Sequence, residues 1–391
     1  MSSSGPEGGN PFEGLPMFGD LARLFSRQGP VNWDVGRQTA VWLATDGQAE
    51  PNVDPLERIR LEELVRVADL QVSAATGLDT SIAGGVLSVL PVGRGDWALH
   101  SLEAYRPYLE RLATSLSRAG DDEDDVPDAT TQLLGDLGKL LGPVLLGMQS
   151  GFMLGHLARR ALGQYGLPLP RMAADQILVV PANLDAFAEQ WTLVPDDLRL
   201  WVCLHEVTHH AVLGRPHVRA RLSDLINEYV GSFEVDPEAL EASLGDLDPT
   251  DAAGLQAVLG NPETLLGAVR SPRQQETLAR IETLTAVIEG YVDHVMDTTG
   301  RGLIGSYGQL TEALRRRRVE ATDGERFAGR LLGLELGRTQ YERGAAFIRG
   351  VVDRAGEDAL GRLWRTGREL PTPAELDAPG LWLARIDLPD D

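Results

Sequence analysis

Two histidines one helical turn apart, His205 and His209, flank Glu206 in the stretch Leu204-His205-Glu206-Val207-Thr208-His209-His210, an H-E-x-x-H arrangement. On a helix, residues i and i+4 project from one face, so both imidazoles can converge on one ion, as tetrahedral zinc requires. Glu206 lies about 100° round the helix from His205. There it can face a metal-activated water without ligating the metal, and the chemistry it offers is that of a general base that then delivers the proton.

Two histidines do not complete a site, and the third ligand decides the class. The extension H-E-x-x-H-x-x-G-x-x-H would need Gly at 212 and His at 215; the chain has Val212 and Arg215, which excludes the metzincin arrangement. Downstream, Glu289 stands among Leu284, Val287, Ile288, Val292 and Val295. A carboxylate in such company is costly to bury unless it is paired or ligated. Asp293 follows four residues later on the same face. In this gluzincin-like spacing Glu289 binds the metal, while Asp293 accepts the far ring N–H of a ligating histidine. The alternative is that both acids line a polar groove or pair with arginines. His294, about 140° round the helix from Glu289, and His217, beyond the helix stop, are rival ligands; His210 reads as a helix-surface residue.

The elements that must hold these residues can be read from the flanks. Pro195, Asp196 and Asp197 supply start and capping signals and Gly214 with Pro216 a stop, predicting a helix over 197–213. Leu198, Trp201, Val202, Leu204, Ala211 and Val212 make it apolar on several sides, as a buried helix should be. The stretch Ile281–Asp297 predicts a second helix carrying Glu289.

The segments DDLRLWVCLHEVTHHAVL, IEGYVDHVMD and LELGRTQYERGAAFIRGVVDRAG resemble a family of zincin-like hydrolases, zinc-dependent metalloproteases common in actinobacteria, over most of the chain from about Asn10 onward. The resemblance implies one zinc per chain held by His205 and His209, with Glu289 at the third position, and Glu206 as catalytic acid and base. It implies a metal site more strongly than it implies a substrate.

Composition narrows the partners. With 58 acidic against 36 basic residues the formal charge is −22. Neither nucleic acid nor an anionic membrane is attracted to such a surface, so neither is expected as a partner. The single cysteine, Cys203, rules out an intrachain disulfide framework and fits a reducing cytoplasm; on a helix it points away from the metal face and reads as core. The run Arg315-Arg316-Arg317-Arg318 reads as a charged helix face.

Along the chain, residues 1–35 read as a flexible Gly/Pro/Ser-rich arm, 36–165 as a helical subdomain, and 166–391 as the zincin-like metal-binding domain. The apolar stretch 140–157 is interrupted by Pro143, Gln149, Ser150 and His156 and reads as a buried helix, not a membrane span. Gly147, Gly151 and Gly155 would let a neighbouring helix approach it closely. Val86–Val92 reads as a short strand or an extended crossing, and Gln176–Val180 as a strand. The latter is a candidate for the cleft-bordering strand that pairs with extended substrate in zincins, or else an ordinary core strand.

The fold expected is mainly α with a small β component: a zincin-like core plus an N-terminal helical subdomain. The function expected is hydrolysis of a peptide or protein substrate. A zincin-fold binding or scaffolding protein without turnover is the alternative. A di-iron carboxylate site would need a second E-x-x-H, which the chain lacks. Tyr291, His294 and Tyr341 are candidates to stabilise an oxyanion.

Overall fold

The computed structural model describes residues 29–118, 129–233 and 271–389. The expected N-terminal arm up to residue 28, the acidic run 121–125 and the stretch 234–270 between the two site helices lie outside them. The described elements are α1 (Trp33–Ala44), α2 (Pro55–Thr76), β1 (Ser88–Pro91), α3 (Arg94–Arg118), α4 (Ala129–Ala158), β2 (Gln176–Val179), α5 (Pro181–Trp191), α6 (Pro195–Leu213), α7 (Pro216–Val230), α8 (Pro272–Leu303), α9 (Tyr307–Val319), α10 (Asp323–Leu332), α11 (Arg338–Ala355), α12 (Pro373–Leu376) and α13 (Pro379–Ile386). Two 3-10 turns, Glu357–Trp364 and Gly367–Glu369, precede α12. The protein is thus mainly helical with a small β component, as the sequence pattern predicts.

Local sequence explains the helix ends. Asp54 caps α2 by accepting from the Leu56 amide, Pro55 presets its first turn, and Gly77 ends it in the left-handed conformation. α6 starts differently from the expectation. Pro195 opens it, but no side chain caps it. Asp197 instead accepts from the Ser306 amide (2.8 Å) and hydroxyl (2.6 Å), tying the start of α6 to the turn between α8 and α9. Arg199, buried on α6, donates to Glu57 of α2 and Asp185 of α5, each at 2.6 Å.

β1 and β2 pair in parallel, with Ser88 opposite Gln176 and Pro91 opposite Val179. A parallel pair needs a long crossover, and α3 and α4 supply it. Ile177, Val179 and Val180 are buried, so β2 is a core strand, not the rim of a cleft. Its free edge is crossed by the segment 162–165: Gly163 bridges Val179 in antiparallel sense, and the Val180 amide donates to the Leu162 carbonyl at 3.0 Å. One buried apolar cluster extends from Ala40 to Ile386 and includes most of α6 and α8.

α1 lies along the glycine stripe of α4. A Cβ at Gly151 would stand 2.6 Å from the Gly36 carbonyl oxygen and 2.7 Å from the Thr39 Cβ, and one at Gly155 2.7 Å from the Leu43 Cβ. The stripe is therefore helix packing, and no helix among the described residues is long and apolar enough to cross a membrane. His156, near the end of α4, is exposed.

Overpacking this contact should be measurable. Gly151→Leu is expected to cost about 1–3 kcal/mol in thermal or urea unfolding. Gly142→Ala, where an added Cβ meets nothing within 4 Å, should be neutral or stabilising through helix propensity.

Candidate metal centre

α6 is buried on almost every side; on its stripe of residues 201, 205 and 209, Trp201 and His205 line a cavity and His209 is fully buried behind them. The rings on that stripe form a column. Trp201 stacks on His205 (centroids 4.8 Å apart), His205 lies 4.4 Å from His209, and Tyr165 stacks on the far side of His209 at 5.8 Å. The i, i+4, i+8 spacing places the first three together. Tyr165 arrives from the crossing segment.

α8 brings Glu289 to this column. Beside Glu289, Gly290 meets Gly344 of α11 backbone to backbone: a Cβ at Gly290 would stand 2.6 Å from the Gly344 carbonyl oxygen. That close approach holds α8 against α11. Glu289 is buried, 5 % exposed, and its Oε1 lies 3.0 Å from His209 Nε2. His209 Nδ1 donates to the His205 main-chain carbonyl at 3.1 Å. Both ring nitrogens of His209 thus face acceptors, which favours the imidazolium.

The electrostatics agree. Burial pushes the Glu289 carboxyl up, but the charge and hydrogen bond of His209 and the charge of Arg318 outweigh it and hold the group at about 2. Burial also opposes charge on His209, and Glu289 reverses that, raising its pKa. His205 is pushed down by burial and by His209. A divalent cation binding at His209 Nε2 has to displace the proton between that nitrogen and Glu289.

The donor set fits such an ion. Two ligands on tetrahedral zinc at about 2.0–2.1 Å each stand roughly 3.3 Å apart, close to the 3.0 Å of the His209–Glu289 contact. No three His, Cys, Asp or Glu side chains among the described residues stand in a finished ligand set. His205 Nδ1 faces Glu206 Oε1 at 3.4 Å.

Asp293 has a different task from the one its spacing suggests. Neither of its oxygens bonds a histidine; both receive Arg318, at 2.9–3.0 Å. The His205 carbonyl has taken the role expected of Asp293, because it already lies one turn below the His209 ring. Arg318 reaches to 4.0 Å from Glu289 Oε2 and lies over the Tyr341 ring at 5.1 Å. Asp293 therefore acts on Glu289 through Arg318.

Glu206 is held by backbone. Its Oε2 accepts from the amides of Gln164 (2.7 Å) and Tyr165 (2.9 Å), and the carboxylate is 2 % exposed. Gly163 makes this possible: a Cβ there would stand 2.7 Å from both Cγ and Oε1 of Glu206. Oε1 takes neither amide and faces His205 Nδ1.

The other histidines lie elsewhere. His210 is buried, not on the surface; the Tyr165 hydroxyl lies 3.1 Å from its Nδ1, and burial pushes its pKa down to about 4. His294 pairs with Glu357 at 2.8 Å. His217 packs near Gly367. Of the oxyanion candidates, Tyr341 lines the cavity and Tyr291 packs edge-on against Trp364. Cys203 is buried in the core.

The cavity has a volume of about 350 Å³ and is bounded by His205, Glu206, Glu289, Trp201, Arg318 and Tyr341 among others. Compared with known families, residues 31–383 match the zincin-like metallopeptidases. The chain belongs to the zincin-like metallopeptidase family. Among solved structures, this zincin-like chain is similar to a protein from Chloroflexus aurantiacus described as "a putative hydrolase with a novel fold", with a TM-score of 0.64 and 26% identity over 92% of this chain and 100% of that one. No curated protein matches. Family membership implies a zinc-dependent hydrolase and makes the contact between α6 and α8 the place to look for its metal.

Arg318 and the 163–165 crossing were not singled out from sequence. A run of four residues spans about 300° of a helix, so Arg315 to Arg318 cannot all face solvent, and that signal was available. Nothing local marks residues 163–165.

Gly163→Ala should drive the Glu206 carboxylate off the two amides and cost about 1–3 kcal/mol in thermal unfolding. Gly166→Ala, where an added Cβ meets nothing within 4 Å, should leave the melting temperature unchanged.

Proposed function

We propose that the protein is a zinc-dependent peptidase that hydrolyses amide bonds of a peptide or protein substrate in this cavity. The observation that carries the reading is the direct contact of Glu289 with His209 beside Glu206 and His205. His205, His209 and Glu289 would hold one zinc ion. Zinc, when bound, supplies a Lewis acid that activates water and polarises a scissile carbonyl.

Glu206 Oε1 takes a proton from the attacking water as the new C–O bond forms. It then returns that proton to the departing nitrogen as the C–N bond breaks. The amides of Gln164 and Tyr165 hold the other carboxylate oxygen, so the working one keeps a fixed direction. Arg318, held by Asp293, keeps Glu289 charged and oriented. Tyr341 is the cavity hydroxyl best placed to donate to a developing oxyanion.

Glu206→Gln should retain zinc by metal analysis and lower kcat by about 10²–10⁴-fold on a cleaved peptide. Unchanged turnover contradicts the assignment. A digest of a peptide library should show cleavage that a chelator stops and added zinc restores. No cleavage of any peptide by zinc-loaded protein would favour a non-catalytic zincin fold.

Replacing Glu289 by Ala should weaken zinc binding by several orders of magnitude in a competition titration, while Asp293→Asn should weaken it by about 10- to 100-fold, the range for groups that orient a ligand. Equal zinc affinity of wild type and Glu289→Ala would remove Glu289 from the ligand set.

A further inference from the structure

Resting on the hydrolase reading, a second question is what the cavity selects, and the arginine run of α9 bears on it. Arg315 and Arg316 are exposed and pair with Glu312 at 3.7 and 2.7 Å. Arg318 is taken by Asp293. Arg317 differs from all three. It lines the same cavity as Glu206 and Glu289, and it makes no ion pair among the described residues. Its guanidinium donates to the main-chain carbonyl of Arg160 and lies 5.2 Å from the centroid of the Phe187 ring.

The surroundings compensate that charge only in part: of the carboxylates, Glu325 alone favours it. Burial and the neighbouring Arg160 push the Arg317 guanidinium down to about 10, which keeps it charged at neutral pH. The carboxylate nearest to Arg160 is Glu325, 3.6 Å from it. Glu325 Oε2 is already committed to the Thr322 amide (2.7 Å) and hydroxyl (3.0 Å) in the capping box of α10. Two guanidiniums thus share one carboxylate that also caps a helix. A half-buried positive charge with only a shared carboxylate beside it is costly in a protein, and a planar guanidinium suits bidentate capture of a further one. A second donor on the cavity wall also lacks an acceptor: Trp201 is 5 % exposed and its Nε1–H has no partner.

We propose that Arg317 forms an anion subsite of the cavity that receives a substrate carboxylate, either the C-terminal carboxylate of a short peptide or an acidic side chain. The reaction is unchanged; the subsite sets which peptide bond is presented to Glu206. A strongly acidic protein repels acidic substrates at long range, so a compensating cation inside the cavity gives such a substrate its foothold.

Binding can be tested without turnover, which separates this proposal from the hydrolase reading. Full-length protein, zinc-loaded and chelator-treated, is titrated calorimetrically with two matched pairs of probes. N-acetyl-phenylalanine against its amide reports a C-terminal carboxylate. N-acetyl-glutamate α-amide against N-acetyl-glutamine α-amide reports an acidic side chain. In one pair the acid should bind roughly 10- to 100-fold more tightly than its neutral partner, with and without zinc, and the pair that discriminates identifies the source. Arg317→Met should abolish the discrimination and Arg317→Lys should keep part of it. Equal affinities in both pairs overturn the proposal. So does a preference that Arg317→Met retains, or one that vanishes on chelation, since the carboxylate would then be held by the metal. Should Arg317→Met fail to fold, the wild-type comparison and Arg317→Lys decide.

Discussion

A buried carboxylate facing a buried imidazole, Glu289 against His209, is the contact on which the rest of the structure depends. Each charge alone would be expelled from an interior this apolar. Together, and with Arg318 nearby, they sustain each other: Glu289 is held far below the usual carboxylate range and His209 above the usual imidazole range. The pair spans two helices far apart in sequence. Its geometry is therefore set by how α6 and α8 pack, and the packing is tight on both sides: α6 is buried from Glu206 to Leu213, and α8 meets α11 backbone to backbone beside Glu289.

Around this pair the polar groups are arranged so that few side chains serve one purpose alone. Asp293 anchors Arg318, Arg318 approaches Glu289, and the same guanidinium covers Tyr341. The crossing segment 162–165 caps the free edge of β2, delivers Tyr165 to the histidine column and uses two amides to hold Glu206. A stretch that continues a sheet edge and contacts Glu206 couples the small β component directly to the histidine column.

Much of the helical framework was legible locally. Proline and glycine punctuation placed α6 to within about two residues, and the four-residue glycine spacing of α4 correctly announced a close helix neighbour. The expected start of α6 was wrong in its cause: acids after a proline look like caps, yet Asp197 is spent on Ser306, more than a hundred residues away. A capping signal and a long-range acceptor have the same local sequence, so only the fold separates them. Residues 163–168 line the cavity, and the close approach of Gly163 to Glu206 requires glycine there.

By itself the sequence determined the one-turn spacing of His205 and His209, the adjacent Glu206, and an apolar setting in which Glu289 needed a partner. These follow from helical periodicity and from the cost of burying charge, both local properties. Only the tertiary structure decided which partners those groups received. His209 meets Glu289, the His205 carbonyl displaces Asp293 from the imidazole, Asp293 goes to Arg318, and the amides of residues 164 and 165 take Glu206. Each of those choices depends on the distance between segments that are remote in the chain, and no periodicity within one segment encodes it.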